Sequence, residues 1–228
     1  MLRDVFTNTI DLATLAYTLI AVVIALSFHE WAHAFSAYKL GDPTAKNMGR
    51  MTIDPFKHID LWGFVCMMLV GFGWAKPVPV NPNNLRHGRW GEIIVSCAGV
   101  FTNLVLAFIF TFVYVAVSLY APVVWWSDML VNLSISCIAI NLGLLVFNLL
   151  PIPPLDGYRV AKGLLIGKVR DLNLFWNIER YSGMILMVLL LVLPMMGITF
   201  ITDFIGACIN WIFDGLLRMA AAIFGVTV

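Results

Sequence analysis

Long apolar runs joined by short polar connections dominate this chain. An upright membrane-crossing helix needs ~20 apolar residues. Runs of that kind extend from about Leu12 to Lys39, Glu92 to Tyr120, Met129 to Leu149 and Ser182 to Ile201, the last with Pro194 expected to kink it. A final stretch, Phe204 to Phe224, is interrupted by Asn210, Asp214 and Arg218. It reads either as a further span or as an amphipathic helix lying in the interface. The run from Leu61 to Trp74 is too short to cross upright, and Pro77, Pro79 and Pro82 follow it. Alternating prolines forbid helix and favour extended chain. The region from Arg50 to Asn84 therefore reads as a small re-entrant or membrane-surface β-hairpin. The predicted fold is an all-α polytopic membrane protein, a bundle of about five to six transmembrane helices with that hairpin. It forms one membrane-embedded domain over 1–228, with a core at about 12–181 and C-terminal helices at 182–228.

Composition agrees. The 228 residues are 61% hydrophobic and 12% charged, with mean hydropathy +0.91. Soluble chains run at about 45–50% apolar and about 25% charged. The net charge of +1 gives no sign of a nucleic-acid partner. Arg3, Asp4 and Asp11 flank the first apolar run without a cleavable leader pattern, so that run reads as a mature membrane helix. The four cysteines, Cys66, Cys97, Cys137 and Cys208, sit apart in apolar surroundings and form no CxxC pair.

Charge distribution sets an expected orientation. Twelve of the 14 basic residues fall in three polar stretches, 39–60, 76–89 and 157–181, whereas 121–128 has none and carries Trp125 and Trp126. The positive-inside rule puts the basic stretches in the cytoplasm and the tryptophan loop outside. Multi-pass placement in the plasma (inner) membrane of a prokaryote is expected.

The candidate chemistry lies inside the first run, at His29-Glu30-Trp31-Ala32-His33. Histidines at i and i+4 share one helix face, so both imidazoles can bind one Zn²⁺, and the glutamate between them can serve as general base on a water that zinc activates. Four His and three Glu placed at random give this pattern in roughly one chain in a thousand. Ionisable groups at membrane depth are costly and usually functional. Zinc needs a third protein ligand. His58, His87, Glu92 and Glu179 lie in polar loops or near boundaries, and the best carboxylate is Asp156, after Pro151, Pro153 and Pro154. The first and third spans run in the same direction, so His29, ~15 Å from its helix end at 1.5 Å per residue, and Asp156 can meet in the cytoplasmic half. Asn103 and Asn148 are further polar groups at depth. Either can hydrogen-bond a peptide carbonyl or oxyanion, or simply join helices.

These residues resemble the site-2 protease family of intramembrane zinc metalloproteases, peptidase family M50, in its compact form without PDZ or CBS domains. The resemblance is carried by His29 to His33, by Gly49 to Pro55 with His58-Ile59-Asp60, by Gly73 to Pro82, and by Asn148 to Gly157. It implies one Zn²⁺ held by His29, His33 and Asp156, with Glu30 as base. It also implies substrates that are themselves membrane helices, cut in or near the bilayer. The chain departs from the family pattern at Val100 and Leu61, where proline is common, and at Asp54, where asparagine is usual. The 76–81 strand is expected to pair with an unwound substrate by β-addition. The alternative is a membrane metal-binding or divalent-cation transport protein without protease activity.

Overall fold

In the computed structural model, which describes residues 11–70, 73–165 and 173–226, the chain is a helical bundle. Helix α1 (Leu12–Lys39) opens on Asp11, whose carboxylate caps the N–H of Thr14. A short helix α2 (Thr44–Asn47) and helix α3 (Leu61–Val70) follow. Then come α4 (Arg89–Tyr120) and α5 (Trp125–Leu149), and two short amphipathic helices, α6 (Asp156–Leu165) and α7 (Asn173–Arg180). The chain ends with α8 (Ser182–Met195) and α9 (Phe200–Ile223).

Four of these helices, α1, α4, α5 and α9, are long and apolar enough to cross a membrane. Their outward faces carry exposed Ile20, Phe101, Ile109, Ile135 and Phe204. Apolar cover on that scale is stable only against lipid. The protein is an integral membrane protein.

What lies inside is small or polar, as membrane helix interfaces require. Along α1 the buried positions recur every fourth residue at Ala21, Ala25, His29, His33 and Ala37. Along α4 the same spacing gives Gly91, Val95, Gly99, Asn103, Ala107, Thr111 and Val115. These two stripes face each other, and α5 closes the core through Ile138, Leu142 and Leu145, with Leu216 of α9 behind them. The two histidines thus replace alanine-sized residues in the tightest seam of the bundle.

Two expectations change. The β-hairpin is not present: among the described residues the region holds one isolated antiparallel bridge, Ile59 to Ala75. Leu61–Val70 is helical, and the return chain packs backbone to backbone against it where Gly63 meets Trp74 and Gly73. Pro77 and Pro79 lack the N–H groups that a ladder needs, so the return segment stays extended but unpaired. The fourth run ends early. After a π-helical stretch at Val188–Val192 and Pro194, Gly197 takes φ +80°, its N–H donates to Pro194 O and that of Ile198 to Leu193 O. This is a glycine stop, and it separates α8 from α9 before Ile201. Phe200–Ile223 then forms a continuous 24-residue helix despite its polar interruptions.

Candidate metal centre

His29 and His33 project from α1 toward α4, where Gly99 gives them room. A Cβ at Gly99 would lie 2.5 Å from His33 Nε2 and 2.7 Å from His29 Cε1. Asp156 arrives from the other side. Leu155 N–H closes a turn on Ile152 O, and α6 begins directly at Asp156. Gly157 permits that start, because a Cβ there would strike the carbonyl groups ending α5, including Leu150 O at 2.6 Å. Asp156 Oδ2 lies 3.3 Å from His29 Nε2 and 3.1 Å from His33 Nε2, and the two Nε2 atoms are 3.0 Å apart. All three residues are buried, and among the described residues they form the group able to hold a metal ion.

Hydrogen bonds around the rim decide what these atoms are. His33 Nδ1 lies 2.8 Å from Val95 O. A carbonyl only accepts, so Nδ1 carries a proton, and in the neutral ring Nε2 is the lone pair that faces Asp156. His29 is fixed through a longer relay. Asn141 Nδ2 donates to Cys137 O at 2.8 Å, Asn141 Oδ1 accepts from Asn103 Nδ2 at 3.2 Å, and Asn103 Oδ1 faces His29 Nδ1 at 2.7 Å. The terminal carbonyl orients both amides, so His29 Nδ1 is again the donor. Both Nε2 atoms and an Asp156 oxygen therefore converge on one point, with each ring's other nitrogen engaged elsewhere. Asp156 Oδ2 is accordingly a buried oxygen without a hydrogen-bond partner. With both rings neutral, a cation among the three satisfies every one of these atoms. Their spacing is close to what one needs: metal–ligand bonds of about 2.0–2.2 Å at tetrahedral angles separate ligand atoms by roughly 3.3–3.6 Å.

Glu30 is buried beside this group, and its Oε2 accepts the N–H of Val78 at 2.8 Å. Asn103 is fully enclosed, and both its polar atoms are engaged, by His29 and by Asn141. Its position is that of a residue orienting His29. Asn148 is half-buried at the end of α5, donating to Leu144 O at 3.0 Å within its own helix. His58 is buried elsewhere, bonded to Thr52 O at 2.7 Å. Glu179 pairs with Lys162 at 2.5 Å and accepts from Tyr158 at 3.2 Å. Burial and that carboxylate push the Tyr158 phenol up to about 12. Gly99, Asn141, the Val95 carbonyl and the Val78 N–H escaped sequence reasoning. Of these, Val95 and Gly99 left a signal, as members of the stripe on α4 that recurs every fourth residue.

Two cavities flank the centre. An apolar groove of about 530 Å³ lies between α1, α3 and α5, lined by Leu26, Phe64, Met67, Trp74, Leu144 and Phe147 among others. A more polar cavity of about 400 Å³ is bordered by Val80, Val95, Pro154, Tyr158, Lys162 and Glu179.

The known proteins most informative about this arrangement agree on a family. A model of peptidase family M50 matches residues 17–125, the span that carries His29, Glu30, His33, Gly99 and Asn103. Among proteins named "Putative zinc metalloprotease", YwhC of Bacillus subtilis (strain 168) is 37% identical over 225 residues, 93% of this chain and 94% of that protein. The chain belongs to peptidase family M50. Two further M50-like relatives bear the same description. Rip2 of Mycobacterium tuberculosis (strain H37Rv) is 31% identical over 149 residues, 61% of this chain and 54% of that protein. MJ0611 of Methanocaldococcus jannaschii is 32% identical over 147 residues, 64% of this chain and 69% of that protein. No solved structure matches the chain.

One prediction follows from the α4 stripe of this M50 chain. Gly99→Ala forces a methyl into the imidazole pair, so metal content falls sharply while helicity holds. Gly215→Ala, where a Cβ meets nothing within 4 Å, leaves metal content unchanged. Metal analysis and circular dichroism of the two purified variants check this.

Proposed function

We propose that this M50 protein is an intramembrane zinc metalloendopeptidase of the site-2 type, hydrolysing peptide bonds in or near transmembrane segments of membrane-protein substrates. The observation that carries the reading is the buried convergence of His29 Nε2, His33 Nε2 and Asp156 Oδ2, with Glu30 beside them. These three would hold one Zn²⁺ per chain, and the names of the relatives support that metal. When bound, zinc supplies Lewis acidity, which makes water acidic near neutral pH and polarises a peptide carbonyl. Glu30 takes the proton from the attacking water as its oxygen bonds to the carbonyl carbon. It then delivers that proton to the amide nitrogen as the C–N bond breaks. Val78 N–H already occupies Glu30 Oε2, so Oε1 is the atom free to move the proton. Asn103 and Asn141 hold the His29 ring, and Asn148 would be a donor to a substrate carbonyl if its amide leaves Leu144 O.

Substrate class and partners follow from the surroundings. The apolar groove between α1 and α5 opens one helical turn from His29, at Leu26, and suits a transmembrane helix arriving through the lipid bilayer. The polar cavity reaches Val95, the residue whose carbonyl holds His33, and offers water a route. It lies beside the basic stretches, which supports a cytoplasmic-half active site in a prokaryotic inner membrane. Nucleic acid has no place in this reading.

The test is metal removal and return. Chelation of the detergent-purified protein should abolish cleavage of a test transmembrane substrate, and stoichiometric Zn²⁺ should restore it. Full activity in the demonstrably metal-free protein would end the proposal.

A further inference from the structure

The extended segment at 76–81 is pinned at both ends. Lys76 N–H donates to His58 O at 2.7 Å, and Lys76 O accepts from Arg50 Nη2 at 2.6 Å. At the other end Asn81 N–H donates to Asp42 Oδ2 at 2.7 Å. Asp42 is fully enclosed, and its Oδ1 takes the Thr44 N–H at 3.1 Å, the Thr44 hydroxyl at 2.5 Å and Asn84 Nδ2 at 3.0 Å. Every partner of this carboxylate is a donor. Burial alone would push the Asp42 carboxyl up, yet the hydrogen bonds from Thr44, Asn84 and Asn81 hold it below its ordinary value. Midway between the pins, the Val78 side chain is buried with Ala34 of α1 and Ala45 of α2. That anchor aims the Val78 N–H at Glu30 Oε2.

The flanking residues sharpen the point. Pro77 and Pro79 have no N–H, so Val78 offers a single donor to Glu30 with no competitor on either side. The same prolines argue against substrate pairing along this segment. In extended chain, alternate residues share an edge. The edge turned away from Glu30 therefore carries Pro77 and Pro79, which cannot donate. Of the segment's N–H groups, those of Lys76, Val78 and Asn81 are already committed within the protein, and only that of Val80 is left among the described hydrogen bonds.

We propose that residues 76–81 form a fixed strap that positions the general base, with Val78 N–H holding Glu30 Oε2 and Asp42, Arg50 and His58 acting as positioning residues from outside the metal centre. The proposal rests on the protease reading. A backbone donor is suited to this task because it cannot change rotamer, and its direction is set by the pins. A base held by one oxygen presents the other along a defined line, so it needs no reorganisation when the proton moves.

The test compares Val78→Pro, Val78→Ala and Val80→Pro in the purified full chain. Kinetics, zinc content and thermal unfolding are measured for each. Extended chain accepts a further proline, so Val78→Pro removes the N–H while Val78→Ala keeps it and removes only the side chain. Val78→Pro should lower kcat by about 10²-fold, the lower end of a general-base contribution, with KM and zinc content unchanged. Val80→Pro should stay close to the wild-type kcat, and Val78→Ala, which loosens the anchor but keeps the N–H, should lose far less than Val78→Pro. Equal losses in Val78→Pro and Val78→Ala would reduce the strap to packing and overturn the proposal. A Val80→Pro loss as large as that of Val78→Pro would overturn it in favour of substrate pairing. If Val78→Pro fails to fold, Asp42→Asn decides, because its amide faces a donor at Asn81 and releases one pin. A fall in kcat with zinc retained supports the strap, and an unchanged kcat overturns it. Glu30→Gln separates the two levels: if that variant cleaves normally, the protease reading itself has failed.

Discussion

Glu30→Gln should leave a protein that binds zinc normally and cleaves almost nothing. Glutamine has the shape of glutamate, and its amide oxygen can still accept the Val78 N–H that Glu30 Oε2 accepts at 2.8 Å. It is not among the three converging donors, so the metal set is untouched. What it cannot do is take a proton from water and hand it to a leaving amine. General-base contributions run at about 10²–10⁴-fold, and the loss here belongs at the upper end, because the buried surroundings offer no substitute base. Zinc per chain and cleavage of a test transmembrane substrate, measured on the same preparation, check this. Cleavage at the wild-type rate would contradict the mechanism, whereas joint loss of zinc and cleavage would give Glu30 a structural role.

The parts of this molecule that the sequence made legible are those written in local spacing. The i, i+4 histidines needed only one turn of helix to face the same point. Asp156 could be chosen because three prolines and a glycine force the chain to break and restart there, and the structure starts α6 at that residue. The long apolar runs gave the spanning helices to within a few residues. α4 opens at Arg89 rather than Glu92 because His87 and Gly88, both at positive φ, turn the chain into the helix earlier. α5 opens at Trp125 rather than Met129 because Ser127 Oγ takes the Val124 N–H.

What was not legible depends on partners far apart in the chain. The hairpin expectation rested on prolines as marks of extended structure, and among the described residues the pairing stops at the single bridge of Ile59 and Ala75. Asn103 was read as a substrate or interhelical group, but its particular partners, His29 and Asn141 on two other helices, lie 74 and 38 positions away. Asn141 itself looks like any polar residue in an apolar helix. Only its contact with Cys137 O gives it a direction, and that direction then fixes the tautomer of a histidine on another helix. Hydrogen-bond polarity of this kind passes through space from a carbonyl, and one-dimensional spacing does not record it.

Asp156→Ala should be the more damaging of the two changes, because it removes a ligand and a charge together. The two Nε2 atoms would remain 3.0 Å apart with their protons held on the far side by Val95 O and Asn103 Oδ1. Two neutral imidazoles do not compensate a buried divalent charge, and the lost carboxylate is the anionic member of the set. Disturbing a residue that merely supports a ligand costs about 10–100-fold in metal affinity, so loss of a ligand should exceed that. Zinc content after dialysis against a weak chelator should fall to background, and cleavage with it. Asp156→Glu refines the point. It restores charge but lengthens the arm, and Gly157 packed against the end of α5 leaves the backbone no freedom to retreat. Partial zinc binding with poor cleavage is expected there, since the glutamate would reach the cation while displacing it from the line between Glu30 and the bond to be cut. If Asp156→Ala keeps both its zinc and its activity, the third ligand is another residue, and the convergence seen around His29 and His33 has a different purpose.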